Sequence, residues 1–108
     1  MTSFIGIDLG TTYSAVATID ETGRPVIVHN SEGENITPSC VVETSPGVMD
    51  VGEFARRQWG SAPDTAASRF KRDMGTSTTH SINGEEFTPT QLSTFILKKL
   101  LQETKISL

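Results

Sequence analysis

The fold prediction starts from Ile5-Gly6-Ile7-Asp8-Leu9-Gly10-Thr11-Thr12-Tyr13-Ser14. Aliphatic residues alternate with small or acidic ones up to position 9, and this period of two predicts a β-strand with one aliphatic face and one face carrying Asp8. Residues 13–19 predict a second strand. The tip between the strands, residues 10–12, combines a glycine with two hydroxyls and backbone N–H groups, which can hold an anion such as phosphate. Asp8 lies beside this tip, where a hydrated hard cation would take an oxygen ligand.

The tip is not one of the two common nucleotide-binding loops. The chain contains neither Gly-x-x-x-x-Gly-Lys-Ser/Thr nor Gly-x-Gly-x-x-Gly. From its chemistry alone, an ordinary hairpin turn and a phosphate-binding turn both remain open.

Size and charge restrict the classes of function. The chain has 108 residues and a net charge of −4, without a stripe of Lys and Arg, which argues against a nucleic-acid partner. Its single cysteine, Cys40, lies in an apolar run and is expected to be buried, and it cannot form an internal disulfide. No apolar run is long enough to cross a bilayer, and residues 1–4 do not resemble a signal peptide. We therefore expect a cytoplasmic protein with no membrane partner.

The middle of the chain predicts short strands and little helix. A third strand at 25–28 completes an antiparallel meander, and a polar loop follows. Further strands are expected at 39–43 and 48–51, a short helix at 53–59, and a helix start at 63–65. Asn83-Gly84 predicts a two-residue hairpin turn between strands at 80–82 and 85–87.

The last segment predicts an amphipathic helix. Thr88-Pro89-Thr90-Gln91 has the pattern of a capping box with proline in the first turn. An apolar stripe follows at helical spacing, and we expect it to pack on the aliphatic face of the meander. The stripe comprises Leu92, Phe95, Ile96, Leu100 and Leu101.

Four segments resemble one family, the seventy-kilodalton heat-shock chaperones, whose bacterial members are called DnaK. The opening run, residues 5–14, resembles the family's first phosphate motif. The other matching segments are Asn30–Gly33 with Thr37–Ser39, Val51-Gly52 with Ala55–Gln58, and Lys71–Gly75. The resemblance implies an α/β fold, a partial actin-like (ribonuclease H-like) ATPase lobe. Its parts are a three-strand meander (1–36), a shortened inserted α+β subdomain (37–87) and a returning helix (88–108).

The resemblance also implies a site. Taken alone, Lys71 and Arg72 are an ordinary basic pair on a surface helix, whereas in the chaperones this lysine reaches the nucleotide cleft. The implied cofactors are ATP or ADP and Mg²⁺, with Asp8 acting on the metal through water. The implied catalytic residue is Lys71, which neutralises charge on the transferring phosphoryl group. The β- and γ-phosphates are expected on Gly10, Thr11, Thr12 and Tyr13.

The resemblance covers only the opening part of a chaperone nucleotide-binding domain. The segment after Gly75 is shorter than in the family, and the second phosphate motif and the adenosine-binding motif are absent. The parent protein is expected to couple ATP hydrolysis to binding of unfolded polypeptides with co-chaperones. The piece by itself is expected to bind nucleotide weakly or not at all, and its first partner is the remainder of its own domain. An actin-like filament-forming ATPase and a non-catalytic interaction module remain alternatives.

Overall fold

The computed structural model describes the backbone of residues 5–107 and the side chains of residues 5–104, so the ends of the segments 1–36 and 88–108 lie outside it. The described residues form nine strands and two α-helices. The strands are β1 (Ile5–Leu9), β2 (Tyr13–Ile19), β3 (Pro25–Val28), β4 (Thr37–Pro38), β5 (Cys40–Ser45), β6 (Val48–Val51), β7 (Ala66–Ser68), β8 (His80–Ile82) and β9 (Glu85–Phe87). The helices are α1 (Glu53–Ser61) and α2 (Pro89–Ser107).

The predicted meander is confirmed. Strands β1, β2 and β3 pair antiparallel in that order, and β4 pairs with the start of β2. Ile7 pairs with Val16, and Val16 pairs with Val28, so their side chains share the face that packs into the core. Asp8 pairs with Ala15 and points to the opposite face. That outer face also carries Ile27, which is 45 % exposed.

A second sheet and a hairpin form the α+β segment between β4 and α2. The sheet has the order β6-β5-β7, with α1 packed on it, and β8 and β9 form a separate hairpin. Asn83 and Gly84 have φ angles of 52° and 85°, the left-handed pair that a tight primed hairpin turn needs, as predicted.

The prediction that a helix begins at residues 63–65 was wrong. Pro63–Thr65 forms a single 3₁₀ turn, and the chain then extends as β7 because Ala66 to Ser68 pair with Val42 to Cys40. This pairing across the sheet outweighs the local helix signal. Lys71 and Arg72 likewise lie in a 3₁₀ turn, Phe70–Asp73, and not on a surface helix.

The capping box at the start of α2 is confirmed. The N–H of Thr88 donates to Oε1 of Gln91 at 2.8 Å, and the N–H of Gln91 donates to the Thr88 hydroxyl at 3.1 Å. Leu92, Ile96 and Leu100 are buried along one stripe, but Leu101 is 39 % exposed, so its predicted place in the stripe was wrong.

Helix α2 packs on the aliphatic face of the meander, as expected, but it covers a wider surface than that. It contacts β2 of the meander, but it lies mainly on β5, β6 and the turn Phe70–Asp73. The second sheet presents its own aliphatic residues, Val41 and Val51. Burying them under α2 removes apolar surface from water, as it does for Val16. One continuous core results, shared by both sheets, the hairpin and α2. Its members are Val16, Val41, Val51, Ala67, Phe70, Ile82, Phe87, Leu92, Ile96 and Leu100. No helix within residues 5–107 is long and apolar enough to span a membrane.

Candidate functional site

The turn between β1 and β2 is tight and needs glycine. A methyl group added at Gly10 would lie 2.3 Å from the carbonyl oxygen of Tyr13, far inside contact distance. Thr12 and Tyr13 are exposed, while Thr11 is half-buried. Glycine therefore permits a bend that presents polar groups at the end of the meander.

Ser39 holds this turn from the side of the second sheet. Its hydroxyl donates to the carbonyl of Gly10 at 2.9 Å, and its N–H donates to the carbonyl of Thr12 at 2.8 Å. The hydroxyl of Ser14 lies 2.9 Å from that of Ser39, and both side chains are buried. Two carbonyls of the turn are thus directed inward. Sequence reasoning missed this role, although Ser39 ends the Thr37-Pro38-Ser39 motif, whose proline keeps the preceding residue extended.

Lys71 contacts the same end of the meander, although it is distant from it in sequence. Its Nζ donates to the carbonyl oxygen of Leu9, which is 62 residues away in sequence and directly precedes Gly10. The backbone brings it there in two steps. Arg69, directly after β7, has a left-handed conformation with φ of 56°, and the 3₁₀ turn Phe70–Asp73 follows. Phe70 enters the core at 2 % exposure, which leaves Lys71 on the surface.

The far end of this 3₁₀ turn is held by β8. Nε2 of His80 lies 2.8 Å from Oδ2 of Asp73, and the rings of Phe70 and His80 meet edge to face at 6.2 Å. The N–H of Met74 donates to the Lys71 carbonyl. The segment that carries Lys71 is therefore fixed by core packing and by a polar pair.

Asp8 lies two residues before Gly10, on the outer face of the meander, and is exposed. The predicted site residues thus fall together around the end of one hairpin, with Lys71 joining from the 3₁₀ turn that follows β7. Among residues 5–107 no three His, Cys, Asp or Glu side chains converge as a metal site.

A groove beside the turn carries two arginines. Its lining includes Thr12 and Tyr13 together with Arg56, Trp59 and Arg69. The guanidinium of Arg69 lies 5.7 Å from the centre of the Trp59 ring.

Three ionisable groups near this groove have shifted pKa values, two through an ion pair and one through burial. Oε1 of Glu53 lies 2.5 Å from Nη2 of Arg56, and this bond lowers the pKa of Glu53 and raises that of Arg56. Burial raises the pKa of the Cys40 thiol, whose sulfur lies 3.2 Å from the Ser68 hydroxyl. Cys40 is buried and free, as expected.

Comparison with known proteins identifies the family. The family described as Hsp70 protein matches residues 4–83. The chain is 43 % identical over 109 residues to chaperone protein DnaK of Endomicrobium trichonymphae, an alignment that covers 97 % of this chain. It is also 43 % identical over 101 residues to chaperone protein DnaK of Thermotoga neapolitana, covering 94 % of this chain. The chain belongs to the Hsp70 family.

This Hsp70-family chain spans about one sixth of those relatives, since each alignment covers 17 % of the relative's length. The mixed α/β structure with antiparallel sheets agrees with a partial Hsp70 actin-like ATPase lobe, as the sequence predicted.

The donor set of this Hsp70-family site suits the phosphate end of a nucleotide. An exposed threonine, Thr12, lies in the turn that begins at Gly10, where a side chain would clash, and the ammonium of Lys71 is held at the residue before that turn. Cationic and hydroxyl donors of this kind bind phosphate oxygens. For Mg²⁺ the set supplies one exposed carboxylate, Asp8, which suits a cation that keeps most of its waters.

Proposed function

We propose that this chain is the opening part of the nucleotide-binding domain of an ATP-hydrolysing chaperone. The observation that carries the proposal is the hydrogen bond from Lys71 to the carbonyl of Leu9. It places the ammonium beside the Gly10-Thr11-Thr12-Tyr13 turn, although the two segments are far apart in sequence. Such a pairing suits a site that binds a polyanion, because positive charge and hydroxyl donors meet at one bend.

In this proposal, each residue acts by position and charge. The backbone and hydroxyls of residues 10–13 hold the β- and γ-phosphates of ATP. Asp8 would hold a hydrated Mg²⁺ ion by accepting hydrogen bonds from its waters, and the bound ion would act as a Lewis acid that neutralises phosphate charge. Lys71 leaves the Leu9 carbonyl for the terminal phosphate, where its charge counters the negative charge that develops during transfer. Ser39 keeps the turn in its bound shape by occupying two of its carbonyls.

We propose further that the remainder of the domain is the first partner of this chain. The outer face of the meander carries Ile27 and Ile19, which are 45 % and 46 % exposed, and the exposed Asp8 lies on the same face. Aliphatic side chains on a sheet face usually pack against another layer. In the parent chaperone, a cytoplasmic protein, nucleotide state controls the binding of unfolded polypeptides and co-chaperones.

Calorimetry on the 108-residue chain tests whether this part of the site binds nucleotide without the rest of the domain. We expect Mg-ATP to bind with an affinity weaker than about 1 mM, since only one wall of the cleft is present to offset the entropy lost on binding. Micromolar affinity would show that residues 5–107 hold the nucleotide without other walls.

A second experiment tests Lys71 in a longer chain that carries the whole domain. We expect Lys71→Ala to slow ATP hydrolysis by about 100-fold or more, the loss typical of removing one preorganised charge, with little change in nucleotide affinity. Arg72→Ala is the matched control, because it removes a neighbouring exposed cation from the same turn. Equal loss of hydrolysis in both variants would remove Lys71 from the proposed role.

A further inference from the structure

Arg69 occupies an unusual backbone position. Its φ of 56° lies in the left-handed region, which a non-glycine residue other than Asn or Asp rarely adopts. The residue stands between β7, whose last member Ser68 pairs with Cys40, and the 3₁₀ turn Phe70–Asp73. The strain therefore lies at the joint, Arg69, between β7 and the turn that carries Lys71.

The side chain of Arg69 offers a compensation for this strain. Its guanidinium lies 5.7 Å from the centre of the Trp59 ring on α1, within the range of a cation–π interaction. Trp59 is itself half-buried against the cluster formed by Cys40, Val42, Ala55 and Ala66. The contact with the packed Trp59 ring therefore stabilises the left-handed backbone conformation of Arg69.

We propose that Arg69 is a positioning residue for Lys71, an inference that rests on the proposed function of the site. With Arg69 left-handed, Phe70 points into the core and Lys71 points to the carbonyl of Leu9. If Arg69 relaxed to a right-handed or extended conformation, the buried Phe70 would resist moving, so the change would fall on the exposed part of the 3₁₀ turn that follows Phe70 and begins with Lys71. The contact with Trp59 selects the conformer that aims the ammonium at the phosphate turn.

Substitutions at Arg69 separate the effect of its backbone conformation from the effect of its side-chain contact with Trp59. Arg69→Ala removes the contact with Trp59 and retains the left-handed penalty, so we expect Lys71 to leave the Leu9 carbonyl. Arg69→Gly removes the same contact together with the penalty, because glycine adopts positive φ freely, so we expect Lys71 to stay. Trp59→Leu should act as Arg69→Ala does. Arg72→Ala, which removes the cation on the other side of Lys71, should have no effect.

The measurement is the ¹³C shift of the Leu9 carbonyl by NMR in the 108-residue chain. Lys71→Met gives the shift without the hydrogen bond, and the unsubstituted chain gives the shift with it. We expect Arg69→Ala to move the shift most of the way to the Lys71→Met value, and Arg69→Gly to remain near the unsubstituted value. Chemical denaturation of each variant shows whether the chain remains folded under the NMR conditions.

Two outcomes would overturn the proposal. One is an unchanged Leu9 carbonyl shift in folded Arg69→Ala, since Lys71 would then be placed without Arg69. The other is an equal change in Arg69→Gly and Arg69→Ala, since the backbone conformation would then not be the cause. No nucleotide is present in this measurement, so its result is independent of whether the chain proves to bind ATP.

Discussion

Replacing Gly10 by alanine should destabilise the chain because the turn leaves no space for a side chain. The added Cβ would lie 2.3 Å from the Tyr13 carbonyl oxygen, whereas ordinary contact begins at 3.4 Å, so one of the two must move by about 1.1 Å. The obstacle is backbone, which cannot rotate away as a flexible side chain could.

Neither side of this clash can move freely. Tyr13 begins β2 and pairs with Pro38 of β4, while the Gly10 carbonyl accepts a hydrogen bond from Ser39. We expect a loss of roughly 1–3 kcal/mol in the free energy of unfolding, the usual range for overpacking. In a domain of this size each kcal/mol lowers the melting temperature by about 4–8 °C.

Gly6→Ala is the matched control. Gly6 lies in the same hairpin, and a Cβ there would meet the Ala17 carbonyl at 3.9 Å, an ordinary contact. We expect this variant to be neutral or more stable by up to about 1 kcal/mol, because alanine reduces the entropy of the unfolded chain. Thermal unfolding followed by circular dichroism compares the two. Equal melting temperatures for Gly10→Ala and Gly6→Ala would refute the argument about the turn.

Three further predictions concern the rest of the fold. Thr88→Ala should lower the free energy of unfolding by about 1 kcal/mol in urea denaturation, because it removes the cap of α2. In the same assay, Ile96→Ala should cost about 2–5 kcal/mol, since Ile96 is 1 % exposed, while Leu97→Ala, at 38 % exposure, should change stability by under about 0.5 kcal/mol. A ¹³C NMR titration should find the pKa of Asp20 below its ordinary value of 3.8, chiefly because of the hydrogen bond from the Thr22 hydroxyl. Because this pKa is lowered on folding, the stability contributed by Asp20 is present above pH 3.8 and is lost as pH falls through the folded-state pKa.

The sequence predicted the elements whose signals are local. Alternation from Ile5 to Leu9, the Asn83-Gly84 turn and the Thr88-to-Gln91 capping box each involve residues close together in the chain, and all three were confirmed. The predictions were wrong or incomplete where the structure of a segment depends on contacts with residues distant in sequence. Ala66–Ser68 form a strand because β5 lies beside them, and α2 lies mainly on the second sheet because Val41 and Val51 need cover. Neither partner is visible from the local sequence.

The same limit applies to the candidate site. Asp8, Gly10, Thr11 and Thr12 could be proposed from their own pattern, because glycine, hydroxyls and a carboxylate at one turn have recognisable chemistry. The resemblance was needed to favour a phosphate site over an ordinary turn and to add Tyr13. Lys71 was selected by resemblance, and periodicity alone had placed it on a surface helix. Ser39 and Arg69 were not selected at all. Their contributions are a pair of hydrogen bonds across 29 and 27 residues and a left-handed φ, and no spacing rule in the sequence predicts either.

The shared core explains why a chain so short can bring Lys71 to the Gly10 turn. Phe70, the residue before Lys71, packs in the same cluster as Val16 of the meander and Leu92 of α2. The position of the ammonium is therefore tied to the meander by buried apolar contacts as well as by the hydrogen bond to Leu9. A core substitution such as Ile96→Ala should consequently loosen the site along with the fold, whereas Lys71→Met should leave the fold intact, because Lys71 is exposed. The geometry of the proposed phosphate site thus depends on packing that the chain already contains, whereas we propose that nucleotide affinity depends on further cleft walls from the remainder of the domain.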